Sequence, residues 1–212
     1  MKISKGIVCT LMPALFAFST QPLLAQDAGG DPASSGTFSL DDHFHTGRRE
    51  ASFGVGTLFS PMIVTANRPT VDYSFAYGQL GFMVTDLAGK GPLRGNLELA
   101  PEFFGAGIYE NTGHYIVGGT LWIRYNFVQK GWRLVPYLQA GGGSVYTDMS
   151  HRYDGMNYNF NVDAAAGLRY FVSRRCSLDL EYRFQHISNA DLGRHNLGTN
   201  AQGPVLGLSW VF

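Results

Sequence analysis

The residues with the greatest chemical reach sit in one short stretch near the end of the chain, His186-Ile187-Ser188-Asn189. A histidine and a serine two positions apart on an extended strand point to the same face. A modest rotamer choice then brings an imidazole nitrogen within reach of the hydroxyl, the nucleophile–base pair of acyl transfer. Taken alone, His-x-Ser is a weak signal, and two polar residues at a strand end is the plainer reading. Other reactive groups are scattered. Asp41, Asp42, His43 and His45 are of metal-ligand type, but no second cluster at a defined spacing accompanies them, so a solvated linker is the better reading. Cys176 closes the tight turn Ser173-Arg174-Arg175-Cys176 and reads as inert. No P-loop, GxGxxG fingerprint or CxxC pair occurs, so neither a cofactor nor a metal is expected.

The element that must carry the pair runs from Ser177 to Asn189. Leu178, Leu180, Tyr182 and Phe184 share one face, while Asp179, Glu181, Arg183 and Gln185 share the other. His186 and Ser188 continue the apolar parity. The same period of two recurs in Asn157 to Tyr170, where Tyr158, Phe160, Val162 and Leu168 oppose Asn157, Asn159, Asn161 and Asp163. Leu97, Leu99 and Phe103 oppose Asn96, Glu98 and Glu102 in the same manner, and Tyr115 to Phe127 repeats the scheme. Such runs fall at 50–59, 70–85, 93–109, 114–128, 133–148, 157–172, 177–189 and 202–212. Ala140 to Gly143 and Tyr77 to Gly81 alternate poorly and are expected to be bulges or bends.

Composition narrows the setting. Lys plus Arg and Asp plus Glu both number 16, so the basic excess of a nucleic-acid binder is missing. Charged residues are 15% of the 212, against roughly 25% in an ordinary soluble domain, while 27 are glycine. Residues 1–25 read as a secretory signal peptide: Lys2 and Lys5, an apolar run from Gly6 to Phe18, and Ala25 before the cut. Residues 26–48 read as a polar leader and 49–212 as the folded domain.

Two packed sheets would alternate equally well. Strand length, aromatic residues at strand ends, a secretory signal and a terminal Phe212 on an alternating strand together favour an all-β, eight-stranded antiparallel transmembrane β-barrel in the bacterial outer membrane. Eight strands leave an interior just filled by side chains, which argues against a wide pore. Both barrel ends should lie on the periplasmic side, with the turns at Gly131-Trp132 and Ser173 to Cys176. The connections near 60–69, 110–113, 149–156 and 190–201 should face outward.

His186-Ile-Ser188-Asn189-Ala190, followed by Asn196-Leu-Gly198, resembles the lipid A 3-O-deacylase (PagL) family of outer-membrane acyl hydrolases. The resemblance is sharpest over 182–212. It implies a site on the outer wall that hydrolyses a primary ester-linked acyl chain of lipid A, with Ser188 as nucleophile and His186 as general base. Asn189, Asn196 and Gly198 match the motif around the oxyanion site. Where well-known members carry an acidic third residue, fourteen positions after the histidine, this chain has Asn200. An amide can orient the ring through its oxygen but supplies no charge. Asp191 is the nearest acid that could substitute.

The resemblance makes lipid A, or lipopolysaccharide, the expected partner. Arg68, Arg152 and Arg194 fall in the expected outer loops, where guanidinium groups suit phosphate, although ordinary loop charge explains them as well. Assembly by the barrel-assembly machinery is expected, and homodimer formation is left open. The competing function is a structural or adhesin-like barrel that keeps the motif without efficient chemistry, with Asn200 as its best support.

Overall fold

The computed structural model describes residues 39–60, 70–110, 112–149 and 155–212. Eight strands run in sequence order: β1 Arg49–Leu58, β2 Asp72–Met83, β3 Gly95–Glu110, β4 Tyr115–Phe127, β5 Leu134–Thr147, β6 Tyr158–Phe171, β7 Cys176–Ser188 and β8 Thr199–Val211. Each pairs antiparallel with the next, and β1 also pairs with β8, so the sheet is a closed barrel. Closure leaves no unpaired backbone edge, which a sheet in lipid requires. Arg49 and Val211 lie at one rim, together with the β2–β3, β4–β5 and β6–β7 connections. Ser188 and Thr199 lie at the other.

Alternation in the sequence becomes inside and outside. Along β7, Leu178, Leu180 and Tyr182 are more than half exposed, while Ser177, Asp179, Glu181, Arg183 and Gln185 are buried. The apolar face is the outer wall, because lipid rather than water lies there. Aromatic side chains collect near both rims. Tyr115 stacks on Tyr146 and Tyr158 meets Phe160 at the rim that holds Ser188. Tyr125 and Phe127 meet near the other rim, where Trp132, Trp210 and Phe212 are exposed.

The interior is packed with paired charge. Arg183 makes two hydrogen bonds to Glu102, at 2.7 and 3.0 Å, and one to Glu181 at 2.8 Å. Its guanidinium also lies 4.8 Å from the Trp122 ring centroid and 5.1 Å from that of Phe75. Arg169 binds Glu50 at 2.7 Å, and Arg124 reaches Glu98 at 3.1 Å. These side chains fill the middle of the barrel. Apolar clusters cap the two ends of the interior, one around Tyr73, Phe75, Ile116 and Ile187, the other around Met83, Val135, Phe171 and Val211.

Three expectations change. The glycine-rich run through β5 is not a bulge: Ala140 to Gly143 keep an unbroken register with both neighbours. Gly141 is needed there because a Cβ would stand 2.7 Å from the Leu121 carbonyl oxygen and 2.8 Å from Thr120 Cγ2. Tyr77 to Gly81 also hold register with β1, and the irregularity falls instead between Asp72 and Tyr73, against β3. The last strand begins at Thr199 rather than near 202. Polar Asn200 and Gln202 on its outer face hide the alternation, yet their backbones pair with β7.

The expected signal peptide, residues 26–38 of the expected leader, Arg68 and Arg152 lie outside the described residues. The end of the leader is described and is not solvated throughout. A 3-10 turn over Asp41–His43 carries Leu40 and Phe44 into the lower apolar cluster, where Phe44 meets Phe171 edge-on at 5.9 Å. Asp41 is committed to Arg94 at 2.7 Å, so it does not join His43 and His45 in a ligand set. No group of three metal-type ligands occurs among the described residues.

Candidate active site on the outer wall

β7 ends in Gln185-His186-Ile187-Ser188, with Gln185 and Ile187 buried and His186 and Ser188 partly exposed on the outer face. Alternation places the pair there, as the sequence predicts. On the β6 side, Val162 stands opposite His186 and Phe160 opposite Ser188. The pair therefore lies at the level of the aromatic belt.

On the β8 side, the residue opposite His186 is Asn200. His186 Nδ1 lies 2.6 Å from Asn200 Oδ1. With the amide oxygen turned toward the ring, Nδ1–H donates and Nε2 is left as the basic nitrogen. The fourteen-residue separation is thus a cross-strand pair, which the period of β7 alone could not reveal. Asp191 does not take this place. Its Oδ1 accepts from Asn196 Nδ2 at 2.8 Å.

The β7–β8 connection folds back over the pair. Ala190 and Asp191 adopt left-handed φ values of 54° and 62°, which turns the chain sharply after Asn189. Asn196 Oδ1 accepts the Asn189 backbone N–H at 3.1 Å, and Asn189 Nδ2 donates to the His195 carbonyl at 2.7 Å. Asn189 and Asn196 are therefore engaged in holding the loop. The N–H after a nucleophile is a common oxyanion donor, but here it is given to Asn196.

Gly198 completes the site. Its φ is +61°, and a Cβ there would stand 3.1 Å from His186 Cε1 and 3.3 Å from Ser188 Cβ. The absence of a side chain lets the loop backbone approach both His186 and Ser188. Arg194 is exposed in the same loop. Two glycines that the sequence did not single out brace this loop. A Cβ at Gly193 or Gly155 would come within 2.6 or 3.2 Å of Asn189 Nδ2. Gly155 belongs to the β5–β6 connection, and a contact between loops so far apart leaves no local pattern.

Polar packing inside, an apolar wall belted by aromatics and closure by eight strands define an integral protein of the bacterial outer membrane. The wall also carries His186 and Ser188, with Asn200 hydrogen-bonded to the imidazole ring. A model of the lipid A 3-O-deacylase (PagL) family matches residues 76–209, more than half of the chain. The chain belongs to that family. Among solved structures it is similar to the outer-membrane enzyme PagL, at 16% identity and a TM-score of 0.55, over 73% of this chain and 97% of that one. It is equally similar to Neisserial surface protein A, at 13% identity and a TM-score of 0.55, over 79% and 98%. The N-terminal barrel domain of Pseudomonas aeruginosa OprF follows, with 16% identity, a TM-score of 0.50 and coverage of 79% and 98%. No curated protein sequence matches the chain. The likenesses to solved structures bear on the fold alone.

Proposed function

We propose that the chain is a serine esterase that removes the 3-O-linked acyl chain of lipid A. The observation that carries this reading is the cross-strand pair of His186 Nδ1 and Asn200 Oδ1 at 2.6 Å, beside Ser188 on the membrane-facing wall. A histidine held through Nδ1 presents Nε2 as a base. In the proposed reaction, Ser188 Oγ attacks the ester carbonyl carbon as His186 Nε2 takes its proton. The carbonyl π electrons move to oxygen, and the tetrahedral intermediate collapses as His186 returns the proton to the departing sugar hydroxyl. Water then attacks the acyl-serine carbonyl carbon as His186 Nε2 takes its proton. The second tetrahedral intermediate collapses as His186 returns that proton to the departing Ser188 Oγ, which releases the fatty acid and restores the free serine. Asn200 holds the ring throughout and accepts the Nδ1–H.

Depth supports the same substrate. Ser188 is the last residue of β7 and pairs with Phe160 of the belt, so the hydroxyl stands where acyl chains meet sugars. Arg194, exposed in the covering loop, would meet a lipid A phosphate; Arg68 and Arg152 retain that proposal from sequence alone. The test is mass spectrometry of lipid A from cells that express the chain. Loss of one 3-linked hydroxyacyl group is expected. An unchanged spectrum with folded protein in the membrane would support a non-catalytic barrel. The uncharged Asn200 favours that second reading.

A further inference from the structure

The rim opposite the His–Ser pair carries a pocket of about 500 Å³ between two turns, β2–β3 and β4–β5. Lys90, Arg94 and Lys130 line it together with Gln129, Trp132 and glycines, and no carboxylate does. Arg94 is fixed: it donates to Asp41 at 2.7 Å and to the Val128 carbonyl at 2.9 Å. Its charge is thereby partly answered. Lys90 and Lys130 are exposed and make no ion pair among the described residues. Both turns carry left-handed glycines, Gly89, Gly91 and Gly131, which allow the tight bends that bring the two lysines to one pocket.

The height of the pocket identifies its occupant. Trp132 is a lining residue and is 54% exposed, and Leu93, beside the pocket, is 69% exposed. Tyr125 Oη donates to the Leu93 carbonyl at 2.7 Å, so the aromatic belt ends at the same level. Aromatic belts mark the boundary between acyl chains and headgroups. Cations just beyond that boundary meet phosphate.

We propose that this pocket binds the phosphate of an anionic glycerophospholipid headgroup in the periplasmic leaflet. Lys90 and Lys130 supply the charge, Trp132 packs on the glycerol and upper acyl region, and Arg94 is the fixed wall. The proposal is independent of the hydrolytic reading, because no residue of the His–Ser site takes part.

The test uses the folded protein in neutral detergent micelles. Short-chain phosphatidylglycerol and phosphatidylcholine compete for it, with bound lipid read by native mass spectrometry. Phosphatidylglycerol should be preferred by about thirtyfold, the scale expected for two cations at a membrane surface. K90Q/K130Q should bring the ratio near one, while R174Q/R175Q, on the neighbouring turn, should leave it unchanged. Both pairs are exposed, so the barrel remains folded. No preference in the unmodified protein would overturn the proposal, as would a preference that survives K90Q/K130Q or is lost equally in R174Q/R175Q. Displacement of phosphatidylglycerol by inorganic phosphate at equal concentration would show a free-anion site instead and would also overturn it.

Discussion

His186 and Asn200 stand opposite each other on β7 and β8, joined by a 2.6 Å contact from ring Nδ1 to amide Oδ1. The pairing register fixes this relationship, since every other pair along β7–β8 would have to slip to separate them.

Ser188→Ala and His186→Ala should each lower deacylation by at least about 10²–10⁴, the usual contribution of a positioned base. Neither residue is in the packed interior, so the barrel should fold. Turnover of purified lipid A by each variant, alongside a circular dichroism spectrum, checks this. Near-normal turnover in either folded variant removes the serine-esterase mechanism.

Asn200→Ala should lower the rate about ten- to a hundredfold, the scale of one lost hydrogen bond to a group that becomes charged. Asn200→Glu should preserve or raise it, because a carboxylate also attracts the imidazolium formed on the way to the intermediate. A pH–rate profile separates the two. If Asn200→Ala follows the unmodified protein at every pH, the amide does not orient the ring.

Gly198→Ala should cost activity more than stability. The left-handed backbone costs an alanine about 1–2 kcal/mol. The added methyl also presses on His186 Cε1 and Ser188 Cβ, at 3.1 and 3.3 Å. A large fall in kcat with a modest drop in the unfolding midpoint is expected.

Arg183→Ala should destabilise the barrel by about 3–5 kcal/mol, because Glu102 and Glu181 lose their buried partner. Arg183→Met with Glu102→Gln should cost less than the single change. Urea unfolding in lipid vesicles reads both.

A pH effect is expected at the outer loops. Backbone N–H groups of His114 and Tyr115 donate to Asp148 at 2.7 and 3.0 Å, and they hold its carboxyl pKa down at about 2. A lowered value means that the clasp is at full strength above the ordinary carboxylate value of 3.8 and weakens as pH falls toward about 2. Amide exchange at His114 and Tyr115, corrected for intrinsic rates, should speed up only in that window. Asp148→Asn should show fast exchange at neutral pH as well.

Much of this molecule is legible in the sequence because a barrel strand sorts side chains by parity. Leu178 to Phe184 against Asp179 to Gln185 gives the wall and the interior of β7 directly, and the same count puts His186 and Ser188 on the wall. Parity does not report what lies across the strand boundary. Asn200 appears to a one-dimensional reading as part of a loop, because its outward neighbours in β8 are polar. The capping of the lower end by Leu40 and Phe44 is hidden for a similar reason. Two apolar residues in a segment rich in Gly, Asp, Ser and His carry no periodicity, and only the open end of a barrel gives them somewhere to go.

Because His186 and Ser188 face outward rather than into the filled interior, the lipid reactant proposed for them would arrive sideways, by diffusion within the plane of the membrane. Encounter frequency then depends on the mole fraction of reactant among neighbouring lipids, not on its concentration in the surrounding water. Diluting the membrane with inert lipid slows such an encounter even when the total amounts of protein and reactant in the tube stay the same.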